Sequence, residues 1–327
     1  MADKRTVAVL AVVTGATLFG FLGVPNRYFQ TDLGLNSMDV TVIRFTSASI
    51  SLLIILGIFA RDQLKIGWRN VPYLVLTGIF KLLCDMFLFF SQQTISLSLS
   101  SLLQMTAPYY VMLVSFFIFG EKLTIRKISC MILGSFGCVL VTGVLFGRVD
   151  ANVDGILAAM ASGLLYGLFV VGNKMNMDKG VSPAATLFYA LLLADLLALP
   201  LINVDSVVDS VSSLEGIAMA VALGLFLSVI PFYLYNWSLN YLEPTVSSTV
   251  AVLETASSSV VGFFLYDETL GPEKILGMAF VMLSIVLLNI SFSKKVSEKY
   301  DIDPHTDTMT AVSKIPMDGK KKQRSFP

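Results

Sequence analysis

Charged residues are scarce in this sequence, and their scarcity decides the class of protein. Only 14% of the 327 residues are Asp, Glu, Lys or Arg, whereas 55% are hydrophobic. A soluble chain of this length needs far more polar side chains to cover its surface. The sequence therefore predicts an integral membrane protein. The formal net charge is zero, so the chain also lacks the basic field by which proteins bind nucleic acid, and we expect no such partner.

Residues that commonly carry metal or hydrolase chemistry are also few. The single histidine, His305, lies in a polar C-terminal segment, which excludes HExxH and Ser/His/Asp motifs. The cysteines Cys84, Cys130 and Cys138 lie in apolar segments and are interpreted as small core residues. No GxxxxGK[ST] loop is present, so ATP cannot be bound in that way. We expect no metal and no cofactor.

Long hydrophobic runs are abundant instead. A bilayer core takes about 20 apolar residues per helix, and the sequence contains ten runs of that length. It therefore predicts an all-α membrane protein with ten transmembrane helices. The predicted spans are 7–25, 39–60, 71–91, 97–119, 126–146, 153–173, 183–201, 214–236, 244–266 and 272–292.

The distribution of Lys and Arg predicts the orientation. With the N-terminus in the cytoplasm, ten basic residues of the N-terminus and loops lie inside, and only Arg27, Arg148 and Lys274 lie outside. An even number of spans returns the C-terminus to the cytoplasm. We expect a multi-pass protein of the cell membrane whose residues 293–327 form a disordered polar tail.

The sequence repeats itself at an offset of 147 residues. The segment SSLLQMTAPYYVMLVSFFIFGEKLTIRKI, which begins at Ser100, aligns without a gap with SSTVAVLETASSSVVGFFLYDETLGPEKI, which begins at Ser247. We therefore divide the chain into 1–147 and 148–292, two repeats of five spans each. Because five is odd, the second repeat should cross the membrane in the opposite sense to the first. Such inverted repeats are typical of carriers that open alternately to either side.

The two aligned segments resemble the EamA-type branch of the drug/metabolite transporter superfamily. Both contain small residues, an apolar run and a Gly-Glu-x-Leu-like turn, although Thr255 and Asp267 replace Pro108 and Gly120 in the second copy. The resemblance implies ten helices with both termini in the cytoplasm and a central cavity lined by helices 1, 3, 4, 6, 8 and 9. It also implies a scaffold or homodimer role for helices 5 and 10. Its substrates are small metabolites, amino acids among them.

Two charges lie one helical turn apart in the third span. Lys81 is about ten residues into the helix, roughly 15 Å deep and near the bilayer midplane. A charge there costs about 3 kcal/mol or more and should face a partner or a wet cavity. Asp85 at i+4 is that partner by spacing. The pair is either a substrate or ion site or a mutually neutralised structural pair, and the sequence leaves both open.

Glu254 is at a similar depth in the ninth span, and its repeat mate is the plain Ala107. A low dielectric favours the neutral form of a carboxyl group, so Glu254 is a candidate to take up a coupling proton on one side and release it on the other, or to bind a substrate amine. A buried, hydrogen-bonded carboxyl with no transport role is the alternative. Arg44 and Asp195 lie nearer the helix ends, from which both can reach the lipid headgroups, and a role in the cavity is the alternative for each.

Further polar and aromatic residues can shape a pocket around a small ligand, although packing or an interfacial belt also accounts for each of them. Pro108 and Pro231 should interrupt helices 4 and 8. Glu121, beside Lys122, and Glu268 lie in short turns, where capping and turn electrostatics explain them. The pocket candidates are Gln104, Tyr109, Tyr110, Tyr235, Asn236 and Trp237.

Two classes of function compete. The leading interpretation is a secondary carrier, expected to be an exporter, of a small polar or amphipathic metabolite such as an amino acid. A membrane-embedded enzyme acting on lipid would also use intramembrane acids and lysine, but it should cluster them near one membrane face. Here the candidates lie near the midplane in both repeats, which favours the carrier and predicts no enzymatic activity.

Overall fold

The computed structural model describes residues 4–95, 97–142, 152–266 and 271–300. All regular secondary structure in these ranges is helical. Eight of the described helices are long and apolar enough to cross a membrane. They are α1 Lys4–Asp32, α2 Ser37–Phe59, α3 Trp68–Thr94, α4 Ser100–Phe119, α6 Val153–Asp178, α7 Pro183–Leu201, α8 Leu214–Ser238 and α9 Pro244–Leu265.

The other two predicted spans fall on α5 Ile125–Thr142 and α10 Pro272–Tyr300. Residues 143–146 of the first lie outside the described residues, and the end of the second has no described side chains. Membrane-protein class and helical fold are thus confirmed, whereas ten spans remain a prediction. The α10 backbone continues eight residues beyond the predicted end at residue 292, since Lys and Glu in this segment favour helix. Residues 301–327 of the predicted tail lie outside the described residues.

Helix starts and breaks recur in both halves. The chain enters α2, α6 and α8 through Asn36, Asn152 and Ser213, whose side chains accept hydrogen bonds from backbone amides of the first turn. Two helices are broken at equivalent places. The α4 helix consists of Leu97–Gln104 and Ala107–Phe119, and α9 consists of Pro244–Ala251 and Leu253–Tyr266.

Packing between helices follows the same equivalence. The α3 helix packs against α6 and α7, and its counterpart α8 packs against α1 and α2. Likewise α4 contacts α6, and α9 contacts α1. Exchanging the halves therefore leaves the pattern of helix neighbours unchanged, so each half supplies helices to a common core.

The α5 and α10 helices pack tightly against each other. A methyl group on Gly137 would lie 2.7 Å from the carbonyl oxygen of Gly277, and one on Gly134 would lie 3.0 Å from the hydroxyl oxygen of Ser284. Gly137 is also close to Val281. As the residue number rises from 134 to 137 along α5, the residue number of the contacted α10 residue falls from 284 to 277. The two helices therefore run antiparallel.

Small residues also bring helices of the two halves together at the centre. A Cβ atom on Gly20 would lie 2.5 Å from the Cβ of Ser257, and one on Gly167 would lie 3.2 Å from the Cβ of Tyr110. Gly20 and Gly167 are repeat mates, as are Tyr110 and Ser257. The two contacts are therefore equivalent, and they position α1 against α9 and α6 against α4 around a central space.

Candidate functional site

A cavity of about 380 Å³ occupies that central space. Residues of α1, α2, α3, α4, α6, α8 and α9 line it, and both halves contribute. They are Phe19, Leu22, Asn26, Gln30, Ser37, Val40, Thr41, Arg44, Lys81, Asp85, Leu88, Phe89, Gln92, Ser101, Gln104, Met105, Ala107, Pro108, Tyr166, Phe232, Ser248, Ala251, Val252 and Glu254.

Half of these residues are repeat mates of one another. Six pairs separated by 147 residues line the same cavity, so it straddles the interface between equivalent surfaces of the halves. The pairs are Phe19/Tyr166, Asp85/Phe232, Ser101/Ser248, Gln104/Ala251, Met105/Val252 and Ala107/Glu254.

The cavity reaches the surface at one end of the helix bundle. Its remaining lining includes Asn26 and exposed Gln30 at the end of α1, Ser37 at the start of α2 and Gln92 near the end of α3. We call this the open end and the opposite end of the bundle the closed end. The orientation predicted from Lys and Arg would place the open end outside the cell.

Three charged side chains meet in the cavity wall. The Nζ atom of Lys81 lies 2.7 Å and 2.9 Å from the two carboxylate oxygens of Asp85, as the i, i+4 spacing predicts. Arg44 donates to the same carboxylate through Nη2 at 2.8 Å. Lys81 and Asp85 are each 3% exposed. Sequence reasoning paired Asp85 with Lys81 alone, and the structure adds Arg44, which lines the cavity.

Aromatic rings surround this ionic group on its closed-end side. The Nζ atom of Lys81 lies 5.2 Å, 5.7 Å and 6.0 Å from the ring centroids of Phe45, Phe232 and Phe169. Phe19 packs edge-on against Phe232 with centroids 4.8 Å apart. Cation–π attraction stabilises a desolvated ammonium group by about 2 kcal/mol. The rings therefore stabilise the lysine, and two of them, Phe19 and Phe232, line the cavity and form its aromatic floor.

Glu254 approaches the cavity from the second half. The break at Val252 lets α9 restart at Leu253, which places Glu254 in the first turn of the new segment. The residue is half-buried and lines the cavity. Among the described residues its carboxylate accepts no hydrogen bond, while the charges of Arg44 and Lys81 act on it. Glu254 is thus a carboxyl group available to a ligand or a proton.

The breaks in α4 and α9 lie in the cavity wall. Pro108 is in the first turn after the Met105–Thr106 break of α4, and both Met105 and Pro108 line the cavity. The predicted break at Pro231 is milder, because α8 stays helical through a π-helical segment at Ala222–Val229 and resumes at Ile230. In α9 the break occurs without proline.

Gln104 lies in the cavity wall as proposed from the sequence. Its Nε2 donates to the hydroxyl of Ser162 at 3.0 Å and approaches the sulfur of Cys84 at 3.6 Å. Ser162 and Cys84 belong to α6 and α3. The amide therefore joins three helices and also faces the ligand space.

Five other candidates do not line this cavity, and their role in ligand binding stays a prediction. Tyr109 faces α5, where its hydroxyl donates to Ser135 at 2.9 Å, and Tyr110 packs on Gly167. Tyr235 and Asn236 are buried in the bundle near the closed end. Trp237 stacks on Tyr241, with centroids 4.9 Å apart. Their aromatic and amide character was compatible with a pocket, but their helical phase turns them elsewhere.

Tyr166 is a cavity residue that sequence reasoning missed. The repeat alignment already paired Phe19-Gly20 with Tyr166-Gly167. Since Gly20 and Gly167 mark the close contacts at the centre, the preceding aromatic residue of each pair was a detectable signal. Asp195, by contrast, is buried outside the cavity and accepts hydrogen bonds from the hydroxyl of Thr46 at 2.9 Å and 3.0 Å.

A second ionic group lies at the closed end and crosses between the halves. Lys127 of the first half pairs with Glu121 at 3.2 Å and with Glu243 of the second half. Thr245 also donates to Glu121 at 2.7 Å. Glu121 and Lys127 are buried. The explanation of Glu121 by turn electrostatics beside Lys122 is therefore wrong, whereas Glu268 lies outside the described residues.

An open depression of about 960 Å³ surrounds this closed-end ionic group. It includes Lys174, Asp178 and Leu239 in addition to the three charged residues. The aromatic floor and the core residues behind it separate the depression from the central cavity.

Comparison with known proteins gives a consistent result. Two segments of the chain, 6–143 and 153–290, each match the EamA-like transporter family. A solved crystal structure superposes with a TM-score of 0.73 at 17% identity, covering 88% of this chain and 98% of that one, which shows a shared fold.

Several curated relatives are named as transporters or exporters. An uncharacterized transporter of Archaeoglobus fulgidus is 26% identical over 277 residues, which cover 85% of this chain and 94% of the relative. The uncharacterized transporter YxxF of Bacillus subtilis is 25% identical, with 79% and 81% covered. The pseudopaline exporter CntI of Pseudomonas aeruginosa is 22% identical, with 79% and 88% covered.

Proposed function

Because this chain belongs to the EamA-like transporter family, we propose that it is a secondary carrier that exports a small polar or amphipathic metabolite, such as an amino acid, by alternating access. Family membership and the apolar helices make it a multi-pass membrane transporter. The substrate class, the direction and the mechanism are the proposal.

The observation that carries the proposal is the central cavity with charges of both signs. Its wall presents Arg44, bound to Asp85 on one side, and Glu254, which has no hydrogen-bond partner among the described residues. The Nε atom of Arg44 is buried and likewise has no hydrogen-bond partner in that part of the chain. A ligand that carries both a carboxylate and an ammonium group complements these two side chains.

Alternating access requires two halves that can exchange conformations. Antiparallel packing of the equivalent helices α5 and α10 supports two inverted five-helix repeats. The same arrangement supports ten spans with both termini in the cytoplasm of a cell-membrane protein. The cavity, lined by six pairs of repeat mates, then lies on the axis that relates the halves.

One relative is named an exporter, the pseudopaline exporter CntI, and this favours export. A carrier without an ATP-binding loop takes its energy from a gradient, and Glu254 is our candidate for the coupling proton. A carboxyl group that faces an alternately accessible cavity can bind a proton on one side and release it on the other.

A counterflow assay in liposomes tests the proposal. Vesicles containing the purified protein are loaded with a pool of unlabelled amino acids and related zwitterions, and uptake of each labelled compound is followed. A carrier should accumulate labelled substrate transiently, since exchange needs no external energy. Protein-free vesicles and the Arg44→Gln variant are the controls. Exchange of neutral sugars but of no zwitterion would contradict the substrate class, and absence of exchange for all solutes would contradict the carrier.

A further inference from the structure

The halves of this molecule are equivalent in sequence but not in accessibility. Twelve of the cavity-lining residues have a repeat mate that does not line the cavity. Eleven of those mates are buried, and the twelfth, Thr255, is half-buried. The buried mates are Phe169, Asn173, Met177, Ala184, Leu187, Phe188, Leu191, Ser228, Tyr235, Asn236 and Leu239. We call this set the closed image of the cavity.

The closed image lies at the closed end of the bundle. Asn173 and Met177 are at the end of α6, Ala184 is at the start of α7, and Tyr235 and Asn236 are at the end of α8. Leu239 also borders the open depression there. The image therefore fills the space between the aromatic floor and that depression.

Three polar atoms in the closed image are buried without a hydrogen-bond partner among the described residues. The amide of Asn173 donates to the Oδ1 atom of Asn236 at 3.2 Å. The Oδ1 atom of Asn173, the hydroxyl of Tyr235 and the Nδ2 atom of Asn236 have no hydrogen-bond partner among the described residues. Each such group costs about 1–3 kcal/mol in a permanently dry interior. A purely structural core has no use for three of them together.

The equivalent positions at the open end explain these polar groups. Asn26 is the mate of Asn173, and Leu88 and Phe89 are the mates of Tyr235 and Asn236, and all three line the open cavity. If the halves exchange conformations, the positions that are now buried become lining, and water or a ligand satisfies the amides and the phenol.

We propose that Asn173, Tyr235 and Asn236 are the ligand-contacting wall of a second cavity, which opens at the closed end when the present one shuts. This inference rests on the proposed carrier function and adds the residues of its other state. In this second cavity, α6 and α8 supply the polar wall. The wall suits a solute that both accepts and donates hydrogen bonds, as does the zwitterion that we propose to bind between Arg44 and Glu254.

The closed-end ionic group keeps the second cavity shut. Lys127 and Glu121 belong to the first half and Glu243 and Thr245 to the second, so opening at this end must separate them. Weakening the group should shift the population toward the state with the second cavity open. The Glu243→Gln change removes one charge, keeps the shape and acts at the partly exposed member.

Cysteine labelling tests the proposal. Cys84, Cys130 and Cys138 are buried and are replaced by alanine. Single cysteines are then introduced as Asn173→Cys and its open-end mate Asn26→Cys. Ala194→Cys is the core control, because Ala194 is fully buried and its mate Ser47 does not line the cavity. A membrane-impermeant maleimide is supplied on both sides, so the result does not depend on orientation.

In the parent background Asn26→Cys should react and Asn173→Cys should not. Adding Glu243→Gln should raise the labelling rate of Asn173→Cys about five-fold or more and lower that of Asn26→Cys, while Ala194→Cys stays unreactive. Adding Tyr235→Phe should reduce the gain at Asn173→Cys, because it removes an unsatisfied hydroxyl from the closed state. A residue that only fills the core would not produce this reciprocal change.

Two results would overturn the proposal. One is an unreactive Asn173→Cys in both the Glu243→Gln and Lys127→Met backgrounds, while Asn26→Cys in the parent background still reacts. The other is equal labelling of Asn173→Cys and Ala194→Cys, which indicates a loosened bundle. Labelling needs no substrate, so a failed counterflow assay counts against the carrier function alone and leaves this test readable.

Discussion

The Oδ2 atom of Asp85 is shared by two cations, with Lys81 Nζ at 2.9 Å and Arg44 Nη2 at 2.8 Å. Lys81 reaches it from the same helix and Arg44 from α2. The aspartate therefore pairs with two cations but balances only one of them, so the three side chains carry a net charge of +1 when all are ionised. Removing the aspartate and removing one cation are consequently not equivalent changes.

The first prediction concerns this asymmetry. Asp85→Asn strands two buried cations and should destabilise the protein by about 3–5 kcal/mol, whereas Lys81→Met leaves Asp85 paired with Arg44 and should cost less. Thermal unfolding of the detergent-purified variants measures the difference. Asp62→Asn is the matched control, since the Asp62–Lys65 pair is exposed and should contribute little.

Restoring stability by removing all the charges separates the structural role of the Lys81–Asp85 pair from a functional one. If Asp85 paired with Lys81 alone, the double variant Lys81→Met with Asp85→Asn would restore folding, but this double variant still strands Arg44. We now expect full stability only when Arg44→Met is added. A stable triple variant that still exchanges substrate at the parent rate would show that the three charges serve folding alone.

Sequence reasoning predicted the eight helices that are long and apolar enough to cross a membrane, the two repeats and the Lys81–Asp85 pair, because each depends on local spacing or on one constant offset. It did not predict which residues of α8 line the cavity. Tyr235 and Asn236 occupy positions equivalent to lining residues, yet they are buried. An alignment identifies equivalent positions and carries no information about which copy is accessible. Contacts between distant segments, such as Glu121 with Thr245, were not predicted either, because local spacing does not report which segments meet.

The second prediction tests the contact between α5 and α10. Gly137→Ala places a methyl group 2.7 Å from the carbonyl oxygen of Gly277, so the helices must separate and stability should fall by about 1–3 kcal/mol. Gly57→Ala in α2 is the control, because nothing lies within 4 Å of the new methyl group. Helix propensity should make that variant slightly more stable. Equal melting temperatures for both variants would contradict the close packing.

The third prediction concerns orientation. A cysteine at Val153, in the exposed first turn of α6, should react with an impermeant maleimide in intact cells. A cysteine at Gln63, exposed in the loop after α2, should react only after the cells are permeabilised. Both follow from the excess of Lys and Arg in the loops assigned to the cytoplasm. The reverse pattern would invert the protein in the membrane and place the open end of the cavity inside the cell.

The last prediction concerns Glu254, the one cavity carboxylate of the second half that has no hydrogen bond among the described residues. Its charge interacts with Arg44 and Lys81, and Asp85 balances only one of these two cations. An ionised Glu254 balances the second cation, whereas a proton or a substrate ammonium bound to Glu254 leaves that cation unbalanced. The repeat mate Ala107 offers no substitute. Loss or gain of that proton changes the equilibrium between the conformation open to one side and the conformation open to the other, as coupling requires.

Glu254→Gln keeps the shape of the side chain and fixes it as neutral. We expect proton-driven accumulation to be lost and exchange across liposomes to survive in part, with a pH profile flatter than that of the parent. Glu215→Gln, which changes an exposed carboxylate at the start of α8, should leave both measurements unchanged. Accumulation by Glu254→Gln at the parent level, with the parent pH profile, would remove Glu254 from the coupling mechanism, because a side chain that cannot titrate cannot carry the proton.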